Sequence, residues 1–555
     1  MDRSDQIYRE FLAELDGLDR FRQRFQERHP AVPLDREDPD VRRLIESLAY
    51  FSIQTRHATM HNLRATWQRL FAGFFDFLLT PMPAAAMAQA VVTDRLVEPV
   101  TLGRGTELRL TTEGGAEGSF RTQRDLRVLP IFLESTEVLP RGRSGYRLIL
   151  RFESRFARRD PIESLSLYVR HLDSYRTSLA VFHALRKSMQ DVSVVYDESA
   201  DETTTGAPCE VSFGSGGGGV GGPDDAAEYQ HPLERLRGFF HFPERDLFVH
   251  LRVPPSRKPW TRFDLCLDTG PDWTTGRTLH PDFFQLFCVP IVNSSKEMAH
   301  PIVADGTASE FAIRSMSAGG DLELHSVTGV FEMSEAGLLP LRPAWLPGTG
   351  PSYQIEQSID DHLTRRHSLL LRMPEAFLEP RKIAVEAIWY QPGFAEDAVG
   401  KMEVGTPGRS IDGLQLRLAS EVRRHVESTL NEEVNSLVQL LAWRMKSTLT
   451  LDEVIALVGY LGIPADSPLA RVLPLLRELQ VQVAPDSALQ GSGLRHVYRV
   501  TLEPFDAGME PLVYTFLAAL RELVDCWNAE ATVDLKIEVA GAGTLNLFPL
   551  LRGAA

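Results

Sequence analysis

Apolar residues recur at helical spacing through the first eighty positions and at strand-like spacing after them. Between residues 6 and 28, Tyr8, Phe11, Leu15, Leu18, Phe21 and Phe25 stand three or four apart, and His29-Pro30 ends the run. A second helical pattern opens over residues 38–51 and closes on Trp67, Phe71, Phe74, Phe75 and Phe77. Asp40 is its expected cap, because a short side-chain oxygen there accepts from an otherwise unpaired backbone N–H; past that turn no proline appears before Pro81. The pattern predicts a helix of about 40 residues, about 60 Å long. Such a helix outruns a small domain, so its apolar stripe needs partners from other elements or other chains.

After Pro81 and Pro83 the period shortens to β-like runs at Val91-Val92, 100–102, 107–110, 126–133 and 146–152, punctuated by glycines. A strand at 166–169 leads into a helix through Leu179, Phe182 and Leu185. Residues 213–223, mostly glycine, have too little side chain to pack. A second β-rich stretch covers 246–389, and helical periods return near 414–445, 450–462 and 468–479. The chain closes on a strand at 497–502, a helix at 510–527 and a strand at 532–539, with no internal repeat. The expected fold is α+β and multidomain: an N-terminal long-helix bundle (1–80), two β-rich modules (81–245 and 246–400) and an α+β C-terminal domain (401–555).

Composition narrows the function classes. A length of 555 residues with 43% hydrophobic and 24% charged allows a sizeable core, and a formal charge of −16 argues against general nucleic-acid binding and anionic membrane surfaces. Cys209, Cys266, Cys288 and Cys526 stand far apart, without a C-x-x-C pair. The first residues lack the apolar core of a signal peptide, and no run approaches the roughly 20 apolar residues of a membrane span. The expectation is a cytoplasmic protein with no direct membrane insertion.

No motif predicts chemistry. Residues 214–219 fit G-x-G-x-x-G, but an acidic Gly-Pro-Asp-Asp segment follows where a phosphate-binding helix would start. Residues 405–410 lack the lysine of a P-loop. His57 and His61 lie one helical turn apart, but Ala58 stands where a metalloprotease carries glutamate, and no third ligand is identifiable. Carboxylate pairs such as Asp360-Asp361 and Glu432-Glu433 read as solvated charge. The prediction is therefore no catalytic, cofactor-binding or metal-binding residue. Arg141, Arg143, Arg147, Arg151, Arg155, Arg158 and Arg159 form either a solvated strand face or a contact for an acidic partner. The aromatic run at 239–248 is either a buried cluster or an interface hot spot.

Several segments, in order, resemble the type VI secretion baseplate family TssF, also called ImpG or VasA. They are Tyr8-Arg9-Glu10 with His29-Pro30; residues 38–51; Gly105-Thr106, Phe120-Arg121-Thr122 and Leu129-Pro130; the F-x-F-P-E stretch within 238–245; residues 287–293 with Pro301-Ile302; and residues 323–327. Ser294-Ser295 and residues 387–390 depart from the family pattern, and the C-terminal third matches mainly in its element order. The resemblance implies a structural wedge subunit that assembles with a second copy of itself and TssG, joined by TssE and TssK around the spike hub VgrG, to dock and trigger a contractile sheath. It implies no active site and no cofactor. The residues expected at interfaces are Val41, Leu44, Leu48, Phe51, Trp67, Phe71, Phe74, Phe240 and Phe242. A wedge protein of another contractile injection system or phage-tail-like particle would share this architecture. An enzyme or carbohydrate-binding module would need a cleft on the β region.

Overall fold

The computed structural model describes residues 3–29, 38–141, 145–214, 231–271, 273, 283–317, 321–359, 365–373, 376, 378–397, 401–408, 411–431, 434–485, 494–527, 531–541 and 543–545. The glycine-rich run at 215–223, Arg143 and the carboxylate pairs at 360–361 and 432–433 lie outside the described residues, as does the His61 side chain.

Two helices lead. Helix α1 is Arg3–Arg28 and α2 is Pro39–Leu79, 41 residues long. The cap of α2 is Asp38 rather than the expected Asp40: its carboxylate accepts from the Asp40 N–H at 2.9 Å. Pro39 explains the shift, since proline is suited to the first helical position and the cap must precede it. The helical path breaks once, at Phe75 (φ −142°, ψ 50°), which turns the last residues of α2 into the body of the protein.

A six-stranded antiparallel sheet forms the centre of the body. Its order is Met402–Gly405, Glu107–Thr112, Glu117–Thr122, Cys288–Asn293, Ala85–Val92 and Leu414–Leu418. It joins segments that the expected boundaries at 245/246 and 400/401 place in different domains, so the unit of architecture here is the sheet and not a stretch of chain. Leu414–Leu418 was expected to open a helix; Leu414, Leu416 and Leu418 alternate with Gln415 and Arg417, and that period of two pairs it with Ala85–Val92.

Two larger sheets and the two-stranded pair Val100–Leu102/Leu126–Val128 flank the central sheet. Of the larger two, one runs Ala207–Pro208, Met189–Tyr196, Trp260–Thr269, Tyr146–Arg158, Phe132–Pro140; the other runs Glu210–Phe213, Phe248–Val253, Glu163–Val169, Phe284–Leu286. Helices α3 (Tyr175–Ser188) and α4 (Pro232–His241) lie among them. Residues 295–390 leave the central sheet to build two more sheets around a separate core containing Val330, Leu369, Ile383 and Trp389.

The C-terminal helices are α5 (Val434–Arg444), α6 (Leu451–Tyr460) and α7 (Glu510–Trp527). Thr450 and Glu453 close a reciprocal capping box at the start of α6. The helical pattern expected over 468–479 resolves into a 3-10 turn at Pro468–Leu475, which contains Pro474, followed by the strand Leu476–Pro485. Strands Leu494–Leu502 and Ala531–Val539 pair in parallel with α7 as the crossover, the arrangement expected for the chain's end. Phe516, Leu517 and Leu520 of α7 belong to the same continuous core as the body.

Candidate interaction surfaces

The first candidate surface is the α1–α2 hairpin. The helices run antiparallel, with Ala49 and Ile53 buried in the seam. Three polar pegs flank it: Glu14 accepts from Ser52 Oγ and from Arg56 Nη2, both at 2.8 Å, and Glu10 Oε2 lies 3.0 Å from His57 Nε2. The Ser52 hydroxyl, and after it Arg56, holds the Glu14 carboxyl below the usual carboxylate range. His57 is thus a hairpin contact. No group of three His, Cys, Asp or Glu side chains among the described residues is placed to hold a metal.

Away from this seam, Leu44, Leu48 and Phe51 form one stripe on α2 at i, i+4 and i+7, and they are 62%, 51% and 64% exposed. Val41 continues the stripe half-buried, and Tyr8 and Leu12 of α1 are also exposed. Nearer the break, Leu70 and Phe74 form a second exposed pair. Large apolar side chains in such a row are costly in water, which makes the stripe a candidate contact surface.

The other end of α2 is anchored. Phe71, Phe75 and Phe77 are buried, and Trp67 packs half-buried beside them. The Phe75 ring stacks on Trp527 at 6.1 Å between centroids. Arg237 of α4, 3% exposed, donates to the carbonyls of Phe77 and Thr80, the latter at 2.6 Å. A cation at the carbonyl end of a helix meets the negative pole of the helix dipole and satisfies acceptors that the helix itself leaves unpaired. Ser428 Oγ donates to Leu78 O at 2.5 Å, and His241 lies with Nε2 2.9 Å from Pro83 O. Burial pushes the Arg237 guanidinium down to about 10 and the His241 imidazole down to about 4.

The nine expected interface residues thus divide. Leu44, Leu48, Phe51 and Phe74 are on the surface, Val41 and Trp67 are half-buried, and Phe71, Phe240 and Phe242 belong to this chain's own core. Of those last three, Phe240 faces Phe516 of α7 at 6.4 Å, and all three are enclosed by the chain itself.

The described part of the arginine stretch divides: Arg147 and Arg158 are buried, Arg141 and Arg151 half-buried, and Arg155 and Arg159 exposed. Arg147 is buried and forks onto Asp268 at 2.7 and 2.9 Å, and its third nitrogen donates to the carbonyls of Asp201 and Thr204. The Asp268 hydrogen bond raises the Arg147 pKa above its ordinary value. Arg141 also meets Asp268, Arg151 meets Glu137, Arg155 meets Asp94 and Arg158 meets Asp160. Arg147 thus ties two strands together inside the chain, while Arg155 and Asp94 pair on the surface and Arg158 pairs with its near neighbour Asp160.

Sequence reasoning missed Arg237, Asn293 and Gln391. Asn293 is fully buried, and its amide bonds reciprocally with Gln391 across the mouth of the 295–390 module. A lone polar residue at the end of an apolar strand such as Cys288–Asn293 was the available signal.

The family model described as "Type VI secretion system, TssF" matches residues 3–356. No curated protein matches the chain. Among solved structures, the chain is similar to one of the type VI secretion system TssK-TssF-TssG baseplate subcomplex, determined by cryo-electron microscopy. The TM-score is 0.71 at 17% identity, covering 92% of this chain and 100% of the other. It is also similar to a structure of the baseplate complex from the type VI secretion system, with TM-score 0.61 at 17% identity, covering 97% and 98%. At that identity the likeness establishes the fold, and the family match carries the assignment. The chain belongs to the TssF family of the type VI secretion system.

Proposed function

We propose that this chain is a structural subunit of the type VI secretion baseplate that assembles with TssG and TssK. The observation that carries this reading is the Leu44, Leu48 and Phe51 stripe, exposed on a helix whose far end is anchored in the body. A rigid helix presenting an apolar row loses little entropy on docking and gains by burying it. The hairpin within residues 1–80 is then the region that enters the wedge core, beside a second copy of this chain and TssG. TssE and the spike hub VgrG complete the proposed partner set, around which the ring holds and releases the sheath. Among the described residues no helix is long and apolar enough to cross a membrane. The proposed location is the cytoplasmic face of the inner membrane, reached through the baseplate. The role is assembly rather than catalysis, and release of the sheath requires partners that bind the two ring states unequally.

The test is co-expression with the TssG-like partner, affinity capture and mass determination. A complex of two copies of this chain with one partner is expected, and L44D/L48D/F51D should abolish its recovery while the variant chain keeps its own circular dichroism. A partner-free chain, or a triple variant captured as well as wild type, would refute the assignment.

A further inference from the structure

Residues 295–390 have their own core, separate from that of the body, and both of their chain connections lie at one place. The chain leaves the central sheet after Asn293 and returns at Gln391. At this crossing the amides interlock. Gln391 N–H donates to Asn293 Oδ1 at 2.6 Å, Asn293 Nδ2 donates to Ser119 O at 3.0 Å, and Ser119 N–H donates to Gln391 Oε1 at 2.9 Å. Phe394 closes over Gly118, where an added Cβ would stand 2.7 Å from the ring, so only glycine admits this contact.

Beyond the crossing, the described contacts between module and body include two charged seams. In the first, Arg365, whose side chain is 5% exposed, donates to Tyr390 Oη at 2.6 Å. That oxygen lies 2.7 Å from Glu323 Oε2 and 3.2 Å from Glu427 Oε1. Arg365, Tyr390 and Glu323 belong to the module. Glu427 belongs to the body segment that pairs with Met82 through Val426. In the second seam, Arg69 of α2 donates to Glu356 Oε2 at 2.8 Å, on the strand Ser352–Ile359. Both seams are partly open to solvent, Arg69 at 57% and Glu427 at 50%. The exposed Arg69–Glu356 pair is weak and salt-screened, whereas the module's apolar core is not, and in the first seam Arg365 is buried while only Glu427 opens to solvent.

We propose that residues 295–390 are a lever that swings as one body about the Asn293/Gln391 crossing, latched to α2 by Arg69–Glu356 and to the body by the Arg365–Tyr390–Glu427 seam. The inference goes beyond the baseplate assignment and does not depend on it. Its logic is a contrast of strengths: the module keeps its shape when the latch opens, and a force that displaces α2 meets the Arg69–Glu356 pair before it meets any core. The device therefore links the position of the long helix to the position of the module.

The experiment measures the distance between spin labels at L378C on the module and M445C on the body, both highly exposed positions, by pulsed electron resonance on the full chain. Cys209 and Cys526, the half-buried thiols, are replaced by serine. The wild-type background should give one narrow peak. R69A should shift the latched-to-open ratio about two- to fivefold, and R69A/E427Q should shift it further and add a second distance. The swap guards against misfolding: R69E and E356R should each open the latch, and R69E/E356R together should restore the narrow peak. An R69A/E427Q distribution identical to wild type, or a swap that fails to recover what each single change loses, would overturn the lever.

Discussion

Arg237→Met is the sharpest probe of how α2 is fixed to the body. Arg237 makes two charge-assisted bonds to the carbonyls of Phe77 and Thr80, together worth about 3–6 kcal/mol by the usual range for hydrogen bonds to charged groups. Against this stands the cost of a buried cation. Burial pushes its pKa down from 12.5 to about 10, a penalty of about 3 kcal/mol. Phe77 O also keeps the Thr80 hydroxyl at 2.9 Å after the change, which limits the loss at that carbonyl. The net is about 2 kcal/mol for Arg237→Met, which preserves the apolar stem; Arg237→Ala loses the stem as well and should cost about 4 kcal/mol. The assay is amide hydrogen exchange of the last turns of α2. A loss of 2 kcal/mol in local opening raises exchange about thirtyfold there and leaves the turns carrying Leu44 and Leu48 unchanged. Acceleration below about threefold in Arg237→Met, or equal acceleration along all of α2, would refute the anchoring argument.

Three residues apart on α2, Phe71→Ala and Phe74→Ala should behave oppositely in urea unfolding of the purified chain. The buried Phe71 should cost about 3–5 kcal/mol and the exposed Phe74 under about 0.5, and equal losses would contradict the described burial. Stability should also fall as pH drops from 7 to 5. Burial holds His241 and His250 down at about 4 in the folded chain, so below about 6.5 the unfolded chain binds the extra protons, and stability is present above that pH and lost on the way down to 4. Each histidine contributes at most about 1.4 kcal/mol per pH unit in that window, and an unfolding midpoint unchanged between pH 7 and 5 would count against their neutral burial.

What was legible in the sequence was whatever repeats locally. A run of Tyr8, Phe11, Leu15 and Leu18 can bury one face only as a helix, and α1 and α2 appear with nearly the expected ends. The closing strand–helix–strand was readable for the same reason. The mouth of the 295–390 module was not, because Asn293 and Gln391 meet through strands whose register depends on residues hundreds of positions away. Aromatic density at 239–248 could not distinguish surface from core: Phe240 is enclosed because α7, nearly three hundred residues later, comes to lie on it. Arg147 within the arginine stretch was illegible for the same reason, since Asp268, which neutralises it, stands on a neighbouring strand more than a hundred residues away. For the proposed interface, periodicity located the stripe on α2, while only the fold could say that Leu44 and Phe74 face water and Phe71 does not.

The central sheet sets a schedule for synthesis. Ala85–Val92 lies between Cys288–Asn293 and Leu414–Leu418, so its two neighbours emerge from the ribosome long after it does. At typical elongation rates of about 5–20 residues per second, this apolar strand waits on the order of 10–40 seconds for its first neighbour and about 20–70 seconds for its second. Throughout that interval its N–H and C=O groups are open to any other strand, including the same segment on a neighbouring nascent chain. The polypeptide thus has a built-in demand for protection during translation, and its yield in a cell should depend on holdase chaperones acting between the appearance of residue 92 and that of residue 418.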